Sequence, residues 1–290
     1  MRFLRAPLFY LEVSRPGLWF QTLWLYFLPL AHREVPLGAA FWLGAIYVLF
    51  PLNFLVYGWN DIVDAPIDAI NPRKGNFLFG ARATPAQLRA LPRCLALIQV
   101  PFWALLIFCG GAPMALLLGA MILVLALYNA PKGGWRGRPP LELGNQLGYL
   151  LLIPLSMQLN HVPNLPLASW FYLILFCTHA HLMGEIMDVG PDRLAGRRTT
   201  ATVIGALPTK IVVMTLVGVE GALLVWGFRD IVLGGFLLAG VGWLLFDVFY
   251  WGNRAYTRRE FLLFGLGLNA GGFASMAWVW WTGTLTRWPG

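Results

Sequence analysis

Residues 41–68 read FWLGAIYVLFPLNFLVYGWNDIVDAPID. The first twenty carry no charge, and the last eight carry three aspartates. As a helix rising 1.5 Å per residue, an uncharged run of this length crosses the roughly 30 Å hydrocarbon core of a bilayer. Within that core lipid offers no hydrogen bonds, so a span must satisfy its own backbone, as a helix does. The stretch therefore reads as a membrane helix with a cluster of carboxylates at its end.

The apolar pattern recurs along the chain. Nine apolar segments run approximately over 17–31, 37–58, 92–109, 112–130, 143–160, 168–187, 208–228, 231–251 and 260–282. Over its 290 residues the chain is 58% hydrophobic and only 12% charged, whereas soluble domains carry about a quarter charged residues. The expectation is an all-α membrane protein with about nine transmembrane helices around a central cavity, in a single domain over 1–290. Gly110-Gly111-Ala112-Pro113 reads as a tight turn, and 59–91, 131–142 and 188–207 as long polar connectors. Residues 1–14 suit an interfacial helix, and the N-terminus lacks the layout of a cleavable signal.

Charge gives the chain an orientation. The net charge is +8, yet the basic residues sit in short patches between apolar runs, which excludes nucleic acid as the partner and points to membrane lipids. With the N-terminus in the cytoplasm, eighteen of the 21 basic residues fall on the inner side. They are Arg2, Arg5, Arg15, Arg73, Lys74, Arg82, Arg89, Arg93, Lys132, Arg136, Arg138, Arg193, Arg197, Arg198, Lys210, Arg254, Arg258 and Arg259. Only Arg33, Arg229 and Arg287 fall outside. This predicts a multi-pass cell-membrane protein whose long acidic loops are cytoplasmic. Cys94, Cys109 and Cys177 have no CxxC spacing and read as packing residues.

Six of the 13 acidic residues occur in two clusters, 60–68 and 185–192. Asn60, Asp64 and Asp68 stand at i, i+4, i+8, and Asp188 and Asp192 at i, i+4. On a helix each set shares a face. Carboxylates so placed repel unless a cation lies between them, and hard oxygen ligands suit Mg²⁺. Pro66 and Pro191 place the clusters where spanning helices end. Cations accompany both: Arg73 and Lys74 after the first, Arg193, Arg197 and Arg198 after the second, and Lys132 four residues after Tyr128. With Mg²⁺ such cations neutralise a diphosphate and stabilise it as a leaving group. Arg82, Arg89, Arg93, Arg136 and Arg138 read instead as topological charges. His179 and His181 read as buried polar packing or cavity lining, Glu185 as an open candidate, and Glu220 and Asp247 as intramembrane carboxylates without a motif.

Together these motifs resemble the UbiA-type intramembrane prenyltransferases. The NDxxDxxxD motif of that superfamily is matched by Asn60, Asp61, Asp64 and Asp68, followed by Asn71-Pro72-Arg73-Lys74. DxxxDxxxGxxT is matched by Asp188, Asp192, Gly196 and Thr199, and Tyr-x-x-x-Lys by Tyr128 and Lys132. Arg15-Pro16 resembles the usual opening of the first helix. The resemblance implies Mg²⁺ as cofactor, held by Asn60, Asp61, Asp64, Asp68, Asp188 and Asp192. It implies a prenyl diphosphate contacted by Asn60, Arg73, Lys74, Tyr128, Lys132 and Arg197. Asp64, Asp68, Asp188, Asp192 and Lys132 are the expected catalytic set. The implied activity is Mg²⁺-dependent transfer of the prenyl group to a lipophilic aromatic or isoprenoid acceptor. A membrane-embedded terpene cyclase of the same superfamily, which needs no acceptor, is the alternative. A transporter leaves the paired clusters unexplained. The first loop continues Gly75-Asn76-Phe77-Leu78 instead of the Arg-Pro of many members, which weakens assignment to the quinone-making branch.

Overall fold

The computed structural model describes residues 2–34, 37–254 and 256–289, with side chains from residue 7 onward. The side chains of Arg2 and Arg5, both counted among the cytoplasmic charges, lie outside this set. The described chain is helical. Its only β pairings are the isolated bridges Asn76–Gly80 and Thr284–Arg287.

Helix α1 (Arg2–Val13) opens the chain and packs Phe9 and Val13 against Phe54, Leu91 and Leu95. After it come α2 (Trp19–Phe27), α3 (Ala39–Leu49) and α4 (Pro51–Asp68). Helices α3 and α4 form one apolar span interrupted at Phe50, because Pro51 has no amide hydrogen to continue the ladder. Buried Asn53 repairs the break: its Nδ2 donates to the carbonyls of Val48 and Leu49, at 2.8 and 2.9 Å. Thr22 donates to the same Val48 carbonyl at 2.8 Å, tying α2 to the joint. At membrane depth, freed carbonyls need such partners.

Helix α5 (Pro85–Asn129) is 45 residues long. A straight helix of that length measures about 67 Å, twice the thickness of a bilayer core. Gly111 breaks it, with φ 67° and ψ −159°, a backbone region essentially restricted to glycine. Two expected segments, 92–109 and 112–130, are thus its two legs. Short helices α6 (Gln146–Leu150) and α7 (Leu152–Asn160) follow, then α8 (Leu167–Leu194), α9 (Thr200–Ile204), α10 (Ala206–Ala222), α11 (Ile231–Phe246) and α12 (Arg258–Thr282).

Among the described residues six helices are long and apolar enough to cross a membrane: Ala39–Asp68, Pro85–Asn129, Leu167–Leu194, Ala206–Gly227, Ile231–Trp251 and Arg258–Thr282. The other two expected segments, 17–31 and 143–160, fall into helices of nine residues or fewer. The main core joins α2, α3, α4, α5, α7 and α8 through residues such as Leu25, Tyr47, Leu52, Leu106, Ile153 and Leu173. Asp247, left without a role by its sequence, is structural: it accepts from Lys210 at 2.8 Å and Tyr256 at 2.5 Å.

Two measurements test this architecture. Gly111→Ala should lower unfolding stability by about 1–3 kcal/mol, the cost of forcing a side chain into that region; an unchanged stability in mixed micelles would show that the turn relaxes freely. Single cysteines placed at Gly75 and Arg197 in a cysteine-free background should resist an impermeant thiol reagent in intact cells. One at Asn164 should react, and the reverse pattern would invert the orientation.

Candidate active site

The ends of α4 and α8, the connectors after them and the loop after α5 converge on one cavity of about 490 Å³. Helix α4 runs through Pro66 and stops at Asp68, and α8 runs through Pro191 and stops at Leu194. The carboxylates therefore project from the last helical turns, where the chain leaves the apolar layer. Asn60, Asp64 and Asp68 line the cavity from one side and Asp188 and Asp192 from the other. Below them the wall is apolar and aromatic, including Phe20, Trp24, Tyr172, Phe176 and Phe236.

Each carboxylate is paired with a cation. Asp64 accepts from both Arg136 and Arg197, and Asp188 from Arg73. Lys74 bridges Asp61 at 2.6 Å and Asp68 at 2.7 Å. Arg15 reaches Asp61 at 3.0 Å and lies over the Tyr57 ring at 4.2 Å. Asn71 ties the first loop to the second motif by donating to Asp188 at 3.0 Å. Five carboxylates (Asp61, Asp64, Asp68, Asp188 and Asp192) thus face five cations (Arg15, Arg73, Lys74, Arg136 and Arg197).

Two of these cations are disfavoured by burial. Burial, and then neighbouring Arg197, pushes Arg136 well below the ordinary arginine range. Burial, with Arg15 close by, lowers Lys74. Arg136 and Arg197 share Asp64, and Arg197 also reaches Asp192 at 3.5 Å. Among the described residues no three His, Cys, Asp or Glu side chains form a protein-only metal cage. Mg²⁺ does not require one, since it takes one or two carboxylates and completes its shell with water and phosphate oxygens. Asn60 Oδ1 and Asp61 Oδ2 are buried without hydrogen-bond partners, so hard oxygen donors remain open there.

The UbiA prenyltransferase family profile matches residues 18–268. The chain belongs to the UbiA prenyltransferase family. It is therefore a prenyltransferase-type enzyme and a multi-pass membrane protein. It is 30% identical over 196 residues to a lycopene elongase/hydratase of Corynebacterium glutamicum, covering 67% of this chain and 68% of the relative. It is 28% identical over 205 residues to a lycopene elongase/hydratase of Halobacterium salinarum, covering 67% and 70%. A UbiA homolog from Archaeoglobus fulgidus bound to DMAPP and Mg²⁺ shares the fold, with a TM-score of 0.66 at 17% identity over 93% of this chain and 99% of that one. The same homolog bound to GPP and Mg²⁺ superposes with a TM-score of 0.61 at 16% identity, covering 92% and 99%.

Of the sequence-predicted residues in this UbiA-family enzyme, Asn60, Asp64, Asp68, Arg73, Lys74, Tyr128, Asp188, Asp192 and Arg197 line the cavity. Asp61 stands behind them, anchoring Arg15 and Lys74. Arg193 and Arg198 are exposed.

Lys132 departs from expectation. Its placement beside Tyr128 presumed a helix through both, but α5 ends at Asn129 and Ala130, before Pro131, is extended. Lys132 is exposed and does not line the cavity. The chain instead turns back, with the amides of Trp135 and Arg136 donating to the carbonyls of Leu127 and Tyr128, at 2.9 and 3.3 Å. That return places Arg136, read from sequence as a topological charge, over the Tyr128 ring at 5.2 Å and onto Asp64. Arg82 also departs from a purely topological role, since it clamps the first loop by donating to the Asn71 carbonyl at 2.7 Å. Arg15 and Asn71 were likewise missed as site residues, although both stand in motif-like stretches.

The expected kinetic signature follows from this exchange of roles. Arg136→Ala should cut kcat by on the order of 10²–10³, the usual cost of one donor to a developing anion. Lys132→Ala and Arg138→Ala should turn over normally. A crippled Lys132→Ala beside a normal Arg136→Ala would restore the assignment made from the motif.

Proposed function

We propose that this enzyme transfers a prenyl group from a Mg²⁺-bound prenyl diphosphate to a lipophilic polyene of the lycopene type. One observation carries the reading: two carboxylate motifs and five cations meet at one end of a cavity whose remainder is apolar. A prenyl diphosphate has the same division, a small polyanion joined to a hydrocarbon tail. The names of the relatives supply the acceptor class, and the first-loop departure from the quinone-making pattern agrees with it.

Asn60, Asp64 and Asp68 would hold one Mg²⁺, and Asp188 and Asp192 a second, with Asp61 anchoring the cations behind them. When bound, the metal neutralises diphosphate oxygens. Arg73, Lys74, Arg136 and Arg197 bind the same oxygens once released from carboxylates, and the Tyr128 hydroxyl is a further donor beside them. As the carbon–oxygen bond lengthens, negative charge grows on the leaving group and these contacts strengthen, so they lower the barrier. The aromatic wall faces the developing allylic cation. It also excludes water, which would capture that cation as an alcohol. The acidic loops lie on the cytoplasmic side, where a water-soluble diphosphate is available.

The test is a reaction of the purified protein in nanodiscs with Mg²⁺, dimethylallyl diphosphate and lycopene, followed by mass spectrometry. A lipid heavier by an isoprenoid unit is expected. It should disappear with exhaustive chelation and in Asp64→Ala, Asp68→Ala and Asp188→Ala, each still folded. A cyclised hydrocarbon formed without lycopene would favour the cyclase instead, and undiminished turnover in chelator would remove the metal from the mechanism.

A further inference from the structure

His179 and Glu220 take no part in the charge layer. His179 stands on α8 nine residues before Asp188, roughly 13 Å deeper along the helix axis, and lines the same cavity. Its Nδ1 lies 2.6 Å from Oε1 of Glu220 on α10. Glu220 is fully buried at 0% exposure, and its Oε2 has no hydrogen-bond partner. The edge of the His179 ring contact is set by Phe176, with centroids 5.3 Å apart and planes at 85°.

A carboxylate at this depth is expensive to bury. Among the described residues Glu220 caps no helix and bonds no backbone group; its one hydrogen bond is to His179. With Glu220 as the carboxylate, Nδ1 is the donor and Nε2 keeps its lone pair. His181 offers a contrast two residues on. Its Nδ1 accepts from the Gln146 amide at 2.6 Å, so the neutral ring carries its hydrogen on Nε2, which lies 3.3 Å from Glu185 without a hydrogen bond. Of these two histidines, only His179 has a ring nitrogen free to receive a proton in the apolar half of the cavity.

We infer that the His179–Glu220 pair is the proton acceptor that completes the transfer, with Nε2 of His179 taking the proton and Glu220 positioning the ring. The inference rests on the reaction proposed above. There, the carbon–oxygen bond breaks and its electron pair leaves with diphosphate. A π pair of the acceptor forms the new carbon–carbon bond, leaving a carbocation on the acceptor. Loss of a neighbouring C–H proton to Nε2 returns that pair to a double bond. The carbocation is thereby replaced by an imidazolium held against the Glu220 carboxylate, so positive charge is not stranded in the apolar cavity. The proton then passes to solvent as product leaves.

The experiment counts released diphosphate and alkylated lipid separately, using the full-length protein in nanodiscs with Mg²⁺, dimethylallyl diphosphate and lycopene. Wild type should yield one alkylated lipid per diphosphate. In His179→Ala diphosphate release should persist while alkylated lipid per diphosphate falls by on the order of 10²-fold, a typical loss for a general base. The missing equivalents should appear as prenyl alcohol. Glu220→Gln should uncouple the two counts more mildly, and added imidazole should restore coupling in His179→Ala, which a packing role would not permit. Coupling retained in both variants, or both counts falling together without imidazole rescue, overturns the inference. A wild-type protein that releases diphosphate without alkylating lycopene overturns the acceptor reading, and the inference with it.

Discussion

The structure depends on Asp64 holding two guanidinium groups, Arg136 from the loop after α5 and Arg197 from the loop after α8. Arg197 also reaches Asp192 on α8 at 3.5 Å, so the contact joins α4, α8 and the two loops. Lys74 folds back from the loop after α4 onto Asp61 and Asp68 of that helix. These pairs close the polar end of the cavity. Their value to folding is modest, since desolvation offsets most of the attraction between buried charges. In the function proposed above their value is larger, because displaced cations would already be positioned for an anion and displaced carboxylates for a metal.

That arrangement explains why the helices end where they do. If α4 stopped a turn earlier, Asp64 and Asp68 would lie on a flexible connector; if it continued, Lys74 could not fold back. Pro66 and Pro191 permit one further turn and no long continuation. Arg82 then fixes the first loop through the Asn71 and Lys74 carbonyls, and Asn71 reaches across to Asp188. The two motifs are thus tied by protein contacts before any ligand is considered.

Much of this was legible in the sequence because it depends on local periodicity. Spacings of four place Asp64 with Asp68 and Asp188 with Asp192 on shared faces, and uncharged runs mark the spans. What escaped depends on where helices stop and how chains return. Tyr128 and Lys132 have helical spacing, but Pro131 ends the helix between them, so spacing alone misplaced Lys132. The return of Arg136 onto Tyr128 is set by backbone hydrogen bonds to Leu127 and Tyr128, for which the sequence offers only Gly133-Gly134 as a turn signal. Arg15 lies 46 residues from Asp61, a contact that only the tertiary fold creates. The short helices over 17–31 and 143–160 reflect prolines and polar joints inside apolar runs, where hydropathy is unaffected but the hydrogen-bond ladder is not.

The cavity is therefore polarised along its length, and this polarity determines how a lipid substrate can lie in it. Charge concentrated at one end admits a diphosphate only there, since the apolar remainder would impose its full desolvation cost. The tail must then run toward Phe176 and Tyr172, past His179. In the reaction proposed above, an acceptor entering from lipid meets the reactive carbon from the apolar side, because the other side carries the paired carboxylates and cations. A proton leaving that acceptor also starts in the apolar half, where the carboxylates near the cavity mouth are engaged by cations. In the reaction proposed above, the His179–Glu220 pair lies on that path, beside the tail instead of beside the diphosphate.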